Sequence, residues 1–533
     1  MNLSNPRMRL FSPAFGVGLL LAVLVLVGSF YNLANYPTIW WDEGIFSETA
    51  ANLVQHGRYA FTVQSPDQLN DLDFRISAGP AVILPVALAY RLLGVGLVPG
   101  RLVAGAYLVL AFLALYLGAR RLVGPVTALG AVALALLGTD AFYWGRSVLG
   151  DIPGLALFLL GTWLLVKALE EVSLLPLFLG GLCLGLAFDA KEFYGLAFLP
   201  PLVVLAQQSW RDKGQLVKRL LAYSLGLALP LLAYVLLKWF ILGGLKAAIL
   251  HFFLQKKLLC HEFFTPFTIG RLYPESVTYL LGHPLFWLGI LGACWLWKKE
   301  AVSFGAKLWV GNFLLWSLFY LNAVYWHRFA LPALFLASPL AAHFVRQAMA
   351  RLTAPLGRRL PAWLVPGMLL ALLMVYPLPA VDYLAQILKS RADSPSRLVN
   401  YLRAHVSRDC LIETPEYELA FLDDDHRIHL MPPYFFVEST PERIVLLNPR
   451  QKPYDFNRVG ADLLILGCFG KGVFKQVYSP ALLKRGWRRI AQVDYYDIYV
   501  RQDRVPKPDK GNLSAPRPRV KLASPSRLKL ASP

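Results

Sequence analysis

Residues 37–60 read PTIWWDEGIFSETAANLVQHGRYA. Two adjacent carboxylates, Asp42 and Glu43, follow two tryptophans after a long apolar run. Carboxylates are costly near a bilayer, so an acidic pair at the mouth of a membrane span predicts a polar site just outside the membrane. Acids also favour the first turn of a helix, so a purely structural role for the pair remains an alternative.

The composition is that of a membrane protein. The chain has 533 residues, of which 56% are hydrophobic and only 16% are charged. Its mean hydropathy is +0.48, and apolar stretches long enough to cross about 30 Å of hydrocarbon recur along it. The net charge of +20 fits basic cytoplasmic loops and a basic tail, so we expect no nucleic acid partner.

Basic residues set the predicted orientation of the first spans. Arg7 and Arg9 precede the first apolar run, which puts the N-terminus in the cytoplasm. Arg120 and Arg121 are the next basic marker, so a single crossing is expected between residue 35 and this pair. The short, proline-interrupted segment 78–94 is therefore predicted to be a juxtamembrane helix within a long outer loop.

Continuing this count predicts about eleven transmembrane helices and a mainly α polytopic fold that ends in a small extracytoplasmic α/β domain. With the N-terminus in the cytoplasm, an odd number of spans puts the C-terminal domain on the extracytoplasmic side of the cell (plasma or inner) membrane. The first seven spans are expected at about 14–34, 102–119, 124–143, 153–171, 174–190, 195–208 and 220–238, and the eleventh at about 362–381. The predicted domains are a membrane domain at 1–385 with outer loops at 35–100 and 239–282, an α/β domain at 386–503, and a disordered basic tail at 504–533.

The predicted α/β domain alternates helix and strand patterns. LVNYLRAHV (398–406) has the periodicity of an amphipathic helix. CLIET (410–414), DLLILG (462–467) and YYDIYVR (495–501) are typical of strands, with turn residues between them.

Charged residues collect on the predicted outer face. Arginine and lysine neutralise phosphate, and a carboxylate takes a proton from an attacking hydroxyl or amine. With an apolar belt alongside, this mixture suits transfer of a sugar from a polyprenyl phosphate. The candidate catalytic residues are Asp42, Glu43 and Asp151, and the candidate substrate-binding residues are Lys191, Arg328, Arg75, Arg271 and Arg146.

Four motifs in order carry a resemblance to known families. They are WWDEG (40–44), GRSVLGDIPGLALFLLGTWLL (145–165), LGLAFDAKEFYGLAFLPPL (184–202) and YWHRFALPALFLASPLAA (325–342). Over about residues 10–345 the chain resembles the dolichyl-phosphate-mannose protein mannosyltransferases and the aminoarabinose lipid A transferases. These are GT-C-fold glycosyltransferases that use lipid-phosphate sugars.

The resemblance implies roles for individual residues. Asp42 matches the family's presumed base, with Glu43 as its partner, and Asp151 matches an acid near the acceptor. Lys191 matches a basic residue after the fifth span, and Arg328 matches an arginine that faces the donor phosphate. The implied activity is that of an inverting glycosyltransferase, with a polyprenyl- or dolichyl-phosphate sugar as donor and a lipid, glycan or protein as acceptor. No cofactor is required by this scheme, although a divalent cation is compatible with it.

One departure from the family pattern bears on the donor phosphate. Many relatives carry Lys-Pro-Pro or His-Pro-Pro at the start of the juxtamembrane helix, where this chain has Ser77-Ala78-Gly79-Pro80. The missing lysine would have to be replaced by another cation. The candidates for that role are Arg75, Lys191, Arg271 and Arg328.

Each motif also has a simpler interpretation. Asp151 precedes a span and suits a helix cap, Lys191 suits an ion pair with Asp189 or Glu192, and Arg328 suits snorkelling to the interface. The D-x-D at 71–73 is interpreted as a solvated loop and the DDDH run at 423–426 as a surface turn, although either spelling occurs in metal sites.

Two other functions compete with a glycosyltransferase. A transporter or flippase for lipid-linked saccharides would carry charges at mid-membrane and inverted repeats, and the sequence shows neither pattern. A non-catalytic binding partner for such lipids would tolerate the altered SAGP segment, but it would not need an intact Asp-Glu pair.

Overall fold

The structure is a computed structural model of the whole chain. It describes residues 13–64, 68–258, 272–298, 302–323, 326–353, 379–391, 393–431, 436–440, 443–447, 454–472, 474–475, 477–484 and 486–504. Nearly all of the predicted eleventh span and of the predicted basic tail lies outside these residues, as does Arg271.

The chain divides into two compact units, each built from separate segments of sequence. The membrane unit comprises Met1–Leu33, Ser77–Ala89 and Leu97–Ser390. The α/β unit comprises Ala34–Ile76, Tyr90–Gly96 and Arg391–Pro533. Part of the segment predicted as the first outer loop thus belongs to the same unit as the C-terminal residues.

Helices form nearly all of the regular structure of the membrane unit. Several begin at proline, whose fixed φ and missing N–H suit the first turn. The helices are α1 (Pro13–Phe30), α2 (Trp41–His56, in the α/β unit), α3 (Pro80–Leu93), α4 (Leu97–Val123), α5 (Pro125–Gly138), α6 (Ala141–Trp144), α7 (Asp151–Glu171), α8 (Leu174–Ala190), α9 (Leu199–Ser209), α10 (Lys213–Leu242), α11 (Leu245–Leu258), α12 (Pro274–Gly282), α13 (Pro284–Trp297), α14 (Phe304–Leu321), α15 (Leu331–Thr353) and α16 (Pro379–Lys389).

Within the part of the chain that the structure describes, five helices are long and apolar enough to cross a membrane, or six if the bent pair α12 and α13 forms one span. The mainly helical, multi-pass fold is confirmed, but the predicted count of eleven spans is not. Several predicted spans form helices of 14 to 17 residues, such as α5 and α8. The segment 239–282, predicted as an outer loop, contains α11 and α12.

Small residues let the helices of the membrane unit approach closely. An added Cβ at Gly226 of α10 would lie 2.0 Å from the carbonyl oxygen of Phe178 on α8. An added Cβ at Gly181 of α8 would lie 2.3 Å from the carbonyl oxygen of Tyr223 on α10. Helices in lipid associate through such close packing, because lipid tails are as apolar as the side chains themselves.

The α/β unit contains a seven-stranded mixed sheet, as its alternating sequence pattern predicts. The strand order is β2-β1-β4-β3-β7-β9-β8, with β3 parallel to both β4 and β7 and the other pairs antiparallel. A separate hairpin joins β5 to β6. The strands are β1 (Ala60–Gln64), β2 (Gln68–Asp71), β3 (Leu411–Thr414), β4 (Arg427–Leu430), β5 (Phe436–Thr440), β6 (Arg443–Leu447), β7 (Leu463–Leu466), β8 (Trp487–Val493) and β9 (Tyr496–Arg501), and the helices after α16 are α17 (Ser394–His405), α18 (Glu418–Leu422), α19 (Cys468–Lys471) and α20 (Pro480–Leu483).

The D-x-D segment is part of this fold, so its interpretation as a solvated loop is wrong. Asp71 ends β2 and forms an ion pair with Arg58 at 2.7 Å. Asp73 is buried and forms an ion pair with Arg75 at 2.7 Å. Both carboxylates therefore have cationic side chains as partners.

Replacing Gly226 by alanine should destabilise the membrane unit. The added methyl group would contact the Phe178 carbonyl, and overpacking of this kind costs roughly 1–3 kcal/mol. The measurement is the thermal unfolding midpoint of the purified protein. Gly16→Ala on α1 is the matched control, because no atom lies within 4 Å of the position of its Cβ. Equal midpoints for the two variants would contradict the packing argument.

Candidate functional site

A buried ion pair joins two of the predicted site residues in the membrane unit. Asp151 is the first residue of α7, and Arg328 lies in the short 3₁₀ helix His327–Ala330 before α15. The Arg328 Nε lies 3.6 Å from Asp151 Oδ1, and both side chains are only 2% exposed. The sequence predicted both residues separately, and the fold brings them together.

Aromatic rings surround the guanidinium of Arg328. Its Cζ lies 5.2 Å from the ring centre of Trp144, 5.1 Å from that of Trp326 and 5.6 Å from that of Phe329. Cation–π contacts of this kind add to the ion pair with Asp151 in holding the desolvated guanidinium in place. Snorkelling to the interface therefore does not describe Arg328, because its side chain is buried.

Lys191 reaches the segment in which many relatives carry a lysine. Its Nζ donates a hydrogen bond of 2.9 Å to Ser77 Oγ, directly before Ala78-Gly79-Pro80. Both partners lie within the membrane unit. A cation is thus present at the altered SAGP segment, although it comes from the residue after α8.

Two glycines allow the chain around Lys191 to pack. A Cβ at Gly79 would lie 2.0 Å from the carbonyl oxygen of Asp189. A Cβ at Gly150, which directly precedes Asp151, would lie 2.2 Å from the carbonyl oxygen of Ala190 and 3.1 Å from Lys191 Cδ. Lys191 therefore passes against the residue before Asp151, which gathers Ser77, Lys191, Asp151 and Arg328 into one region.

The acidic pair lies in the first turn of α2, in the α/β unit. Asp42 is half-buried and Glu43 is fully buried. The acids therefore suit the helix N-terminus electrostatically, as the simpler interpretation expected. This position is equally compatible with a base whose carboxylate is partly exposed.

An aromatic stack fixes the start of α2 within its unit. The Trp41 ring lies between Tyr417 and Phe469, with ring centres 4.7 Å and 4.6 Å away and planes inclined by 23° in both cases. A Cβ at Gly44 would lie 2.5 Å from Glu418 Cα, so the helix packs directly on that backbone. Trp41 thus anchors the first turn of α2 through contacts with protein side chains.

The segment that Trp41 contacts is itself held by a buried carboxylate. Glu416 accepts backbone hydrogen bonds from Gly467 and Gly470 at 2.8 Å and from Phe469 at 3.3 Å. Convergent N–H groups of this kind form an anion-binding concavity. Glu416 fills it, which ties the loop after β7 to the loop after β3.

Glu418 adds a second buried acid to this region. Its Oε1 accepts a hydrogen bond of 2.8 Å from the Tyr496 hydroxyl, and its Oε2 has no hydrogen-bond partner among the residues that the structure describes. Burial, reinforced by the nearby charge of Glu416, raises the pKa of Glu418 from 4.5 to about 8. Glu418 is therefore largely protonated at neutral pH.

Two predicted phosphate-binding arginines have other partners. Arg75 forms an ion pair with Asp73, and its Cζ lies 4.5 Å from the ring centre of Phe61 and 5.1 Å from that of Tyr417. Arg146 is fully buried and donates hydrogen bonds to the carbonyl oxygens of Gly28, in the last turn of α1, and of Tyr31, directly after α1. Both contacts organise the fold around the candidate site.

The structure also reveals a polar cluster that the sequence analysis did not identify. Asp140 accepts hydrogen bonds from Tyr383 at 3.1 Å and from Tyr279 at 3.5 Å, and its Oδ2 lies 3.0 Å from His327 Nδ1. The Tyr279 and His327 rings stack with their centres 4.0 Å apart. His327 directly precedes Arg328, so this cluster supports the 3₁₀ helix that carries the buried arginine. In the sequence, the signal for this cluster was Asp140 itself, the acid directly before AFYWGR (141–146).

The acidic run in the α/β unit already has cationic partners. Asp423, Asp424 and Asp425 have carboxylate oxygens within 4.8 Å of one another, which is close enough for a metal ion. Arg403, however, contacts both Asp424 and Asp425 at 2.8 Å. A positive side chain in this position competes with a cation, so the run carries no metal-site assignment.

Comparison with known proteins identifies the fold. Residues 77–239 match the profile of the dolichyl-phosphate-mannose-protein mannosyltransferase family. ArnT from Cupriavidus metallidurans bound to undecaprenyl phosphate superposes with a TM-score of 0.55 at 17% identity, over 91% of this chain and 98% of that chain. The apo state of the same protein superposes with a TM-score of 0.56 at 15% identity, over 92% of this chain and 98% of that chain. A third structure is that of the oligosaccharyltransferase AglB from Archaeoglobus fulgidus in complex with an inhibitory peptide and a dolichol-phosphate. It superposes with a TM-score of 0.54 at 12% identity, over 92% of this chain and 75% of that chain.

The chain has the GT-C fold. No curated protein matches it by sequence. The resemblance drawn from the four motifs is confirmed by the family match and by the two structural neighbours. The family match supports a glycosyltransferase as the general class and an integral, multi-pass membrane protein.

The raised pKa of Glu418 predicts a pH dependence of stability. The folded unit holds the proton more tightly than the unfolded chain, so stability should fall as pH rises from about 4.5 through 8. Glu418→Gln should flatten this fall, as measured by pulse proteolysis of the full-length protein across that range. Glu48 is the matched control, because burial raises its pKa to about 7. Glu48→Gln should therefore remove only the loss of stability that occurs below about pH 7. An unchanged profile in Glu418→Gln would contradict the assignment.

Proposed function

We propose that the protein is an inverting glycosyltransferase that moves a sugar from a polyprenyl-phosphate donor to an acceptor on the extracytoplasmic face of the membrane. The contact between Lys191 and Ser77 is the observation that carries this proposal. It supplies a cation at the segment where relatives carry a lysine, next to the buried pair of Asp151 and Arg328. The cytoplasmic N-terminus and extracytoplasmic α/β unit are part of the same proposal.

The cations of the membrane unit act on the leaving group. When the bond between the sugar's anomeric carbon and the phosphate oxygen breaks, negative charge develops on the lipid phosphate. Lys191 and Arg328 stabilise that charge, and cations in a water-poor site do so far more effectively than in water. Asp151 holds the Arg328 guanidinium in place, and its carboxylate also orients the acceptor.

Asp42 acts on the acceptor. It takes the proton of the attacking hydroxyl or amine, and a new bond forms to the anomeric carbon as the phosphate departs on its lipid. A single displacement of this kind inverts the configuration of the sugar. Glu43 assists by orienting the pair, and the stack on Trp41 holds the first turn of α2. No step passes through a metal ion.

The ligands of the structural neighbours support a polyprenyl monophosphate as the class of donor. The ArnT structure contains undecaprenyl phosphate and the AglB structure contains dolichol-phosphate, and both ligands are polyprenyl monophosphates. A panel of radiolabelled polyprenyl-phosphate hexoses and pentoses in proteoliposomes tests the sugar. Each donor is tested with lipid, glycan and peptide acceptors. Failure of every donor to lose its label would refute the proposed activity.

Asp42→Asn should abolish transfer while leaving donor binding intact. Loss of a general base typically costs roughly 10²–10⁴-fold in rate. The measurement is release of label from the lipid donor under single-turnover conditions. Asp71→Asn is the matched control, since it removes the same charge from an exposed ion pair of the same unit and should stay near native. Equal turnover of Asp42→Asn and the native protein would refute Asp42 as the base and favour Asp151.

Relocating a lysine tests the donor site. Lys191→Ala should raise the donor KM at least tenfold, since it removes one charge-assisted contact to phosphate. Ser77→Lys in the same chain should recover most of that loss, because Ser77 Oγ marks the position that the Lys191 Nζ reaches. Ser77→Ala alone is the control and should have little effect. A double variant that is no better than Lys191→Ala, or an unaffected Lys191→Ala, would refute Lys191 as a phosphate ligand.

A further inference from the structure

A second lysine is buried in the membrane unit, and the roles proposed above do not use it. Lys238 lies four residues before the end of α10, a 30-residue helix that is otherwise largely apolar in this region, and its side chain is 2% exposed. A buried ammonium group in a membrane-spanning helix costs several kcal/mol unless it is compensated, so such residues usually mark ligand or ion sites.

Among the residues that the structure describes, the side chains in contact with the Lys238 ammonium group carry no negative charge. Its Nζ donates to Gln255 Oε1 at 3.3 Å and lies 4.6 Å and 5.5 Å from the ring centres of Tyr234 and Phe252. These partners are an amide and two aromatic rings, and none carries a negative charge. Asp189, buried at the end of α8, interacts with Lys238 electrostatically.

Two helices, α10 and α11, form this polar region. Gly243 has a φ of 73°, a left-handed conformation that glycine adopts without strain, and it lets α11 turn back against α10. Tyr234 and Lys238 are spaced i, i+4 on α10, and the buried His251 and Gln255 are spaced i, i+4 on α11. Residues four apart share one helix face, so each helix contributes a polar stripe.

The outer faces of the same two helices are strongly apolar. Trp239 and Phe240, which directly follow Lys238, are 46% and 89% exposed, and Phe253 on α11 is 64% exposed. In a membrane protein such side chains contact lipid. The buried cation thus lies beside an exposed apolar surface, and this combination matches a molecule with one anionic head and a long apolar tail.

We propose that Lys238, assisted by Gln255, binds the phosphate of a polyprenyl monophosphate whose tail lies along the exposed apolar faces of α10 and α11. The choice of this lipid rests on the proposed function. A phosphate oxygen accepts from the ammonium Nζ and from the amide Nε2 of Gln255, and the aromatic rings keep the cation desolvated. Asp189 supplies the compensating charge when no lipid is bound.

A purely structural pair is the competing explanation, and it predicts different double-mutant behaviour. If Lys238 only neutralises Asp189, then removing both charges leaves a neutral core and lipid binding is unaffected. If Lys238 binds phosphate, then lipid binding is lost whether or not Asp189 is neutralised as well. The double variant Lys238→Met/Asp189→Asn therefore separates the two explanations even if Lys238→Met alone folds poorly.

The experiment measures binding of undecaprenyl phosphate to the full-length protein in nanodiscs, with undecaprenol and inorganic phosphate as separate competitors. Measured in a Lys191→Ala background, which weakens the donor site proposed above, both Lys238→Met and the double variant should bind the lipid phosphate at least tenfold more weakly than the background protein. Lys246→Met, which removes an exposed lysine from α11, is the matched control and should stay within twofold. Undecaprenol should compete poorly, because it has no phosphate, and inorganic phosphate should compete only weakly, because it has no tail.

Native-like binding by the double variant would overturn the proposal, as would competition by undecaprenol equal to that by undecaprenyl phosphate. Inorganic phosphate competing as well as the lipid would overturn the lipid as occupant. Binding that depends on Lys238 in a protein that transfers no sugar would uphold this inference while refuting the proposed function. Sugar transfer with native lipid binding in Lys238→Met would refute this inference alone.

Discussion

The rest of the membrane unit depends on the ion pair between Asp151 and Arg328. Neither charge is tolerated alone in a water-poor interior, and removing one partner of a buried pair typically costs about 3–5 kcal/mol. The pair therefore fixes the start of α7 against the 3₁₀ helix before α15. Asp140, through His327, holds that 3₁₀ helix from a second direction. A cation fixed in this way needs no reorganisation when a phosphate arrives.

In the α/β unit, aromatic and backbone contacts hold the first turn of α2. Trp41 provides a large rigid surface between two rings, and Gly44 lets the helix lie directly on the Glu418 backbone. Glu416, bound by three backbone N–H groups, braces the loop that carries Phe469. Contacts of the residues beside the acidic pair thus fix the first turn of α2 within its unit.

Much of this organisation could be predicted from the sequence. Long apolar runs and basic loops identified a multi-pass protein, and strand-like segments separated by turn residues identified β3, β7 and β9. Other features depend on contacts between distant residues and leave no local signal. The strands β1 and β2 lie in a segment that resembles a polar loop, yet β1 pairs with β4 at Gln64 and His429. Arg75 lies in the same segment, whose polar sequence predicts an exposed side chain. The structure instead buries it against Asp73.

The same limit explains why the sequence singled out Lys191 but not Lys238. Lys191 stands in a recognisable motif, so its importance was predicted, but its contact with Ser77 required the turn after α8. Lys238 interrupts an apolar run without any motif, and a single lysine near the end of a span usually snorkels to the interface. Its burial depends on α11 folding back at Gly243, which covers the ammonium group with Gln255 and Phe252. Phosphate recognition constrains where a positive charge lies in space more tightly than which residue supplies it, so a GT-C fold can lose a lysine at one position of its sequence and keep a cation near the same place.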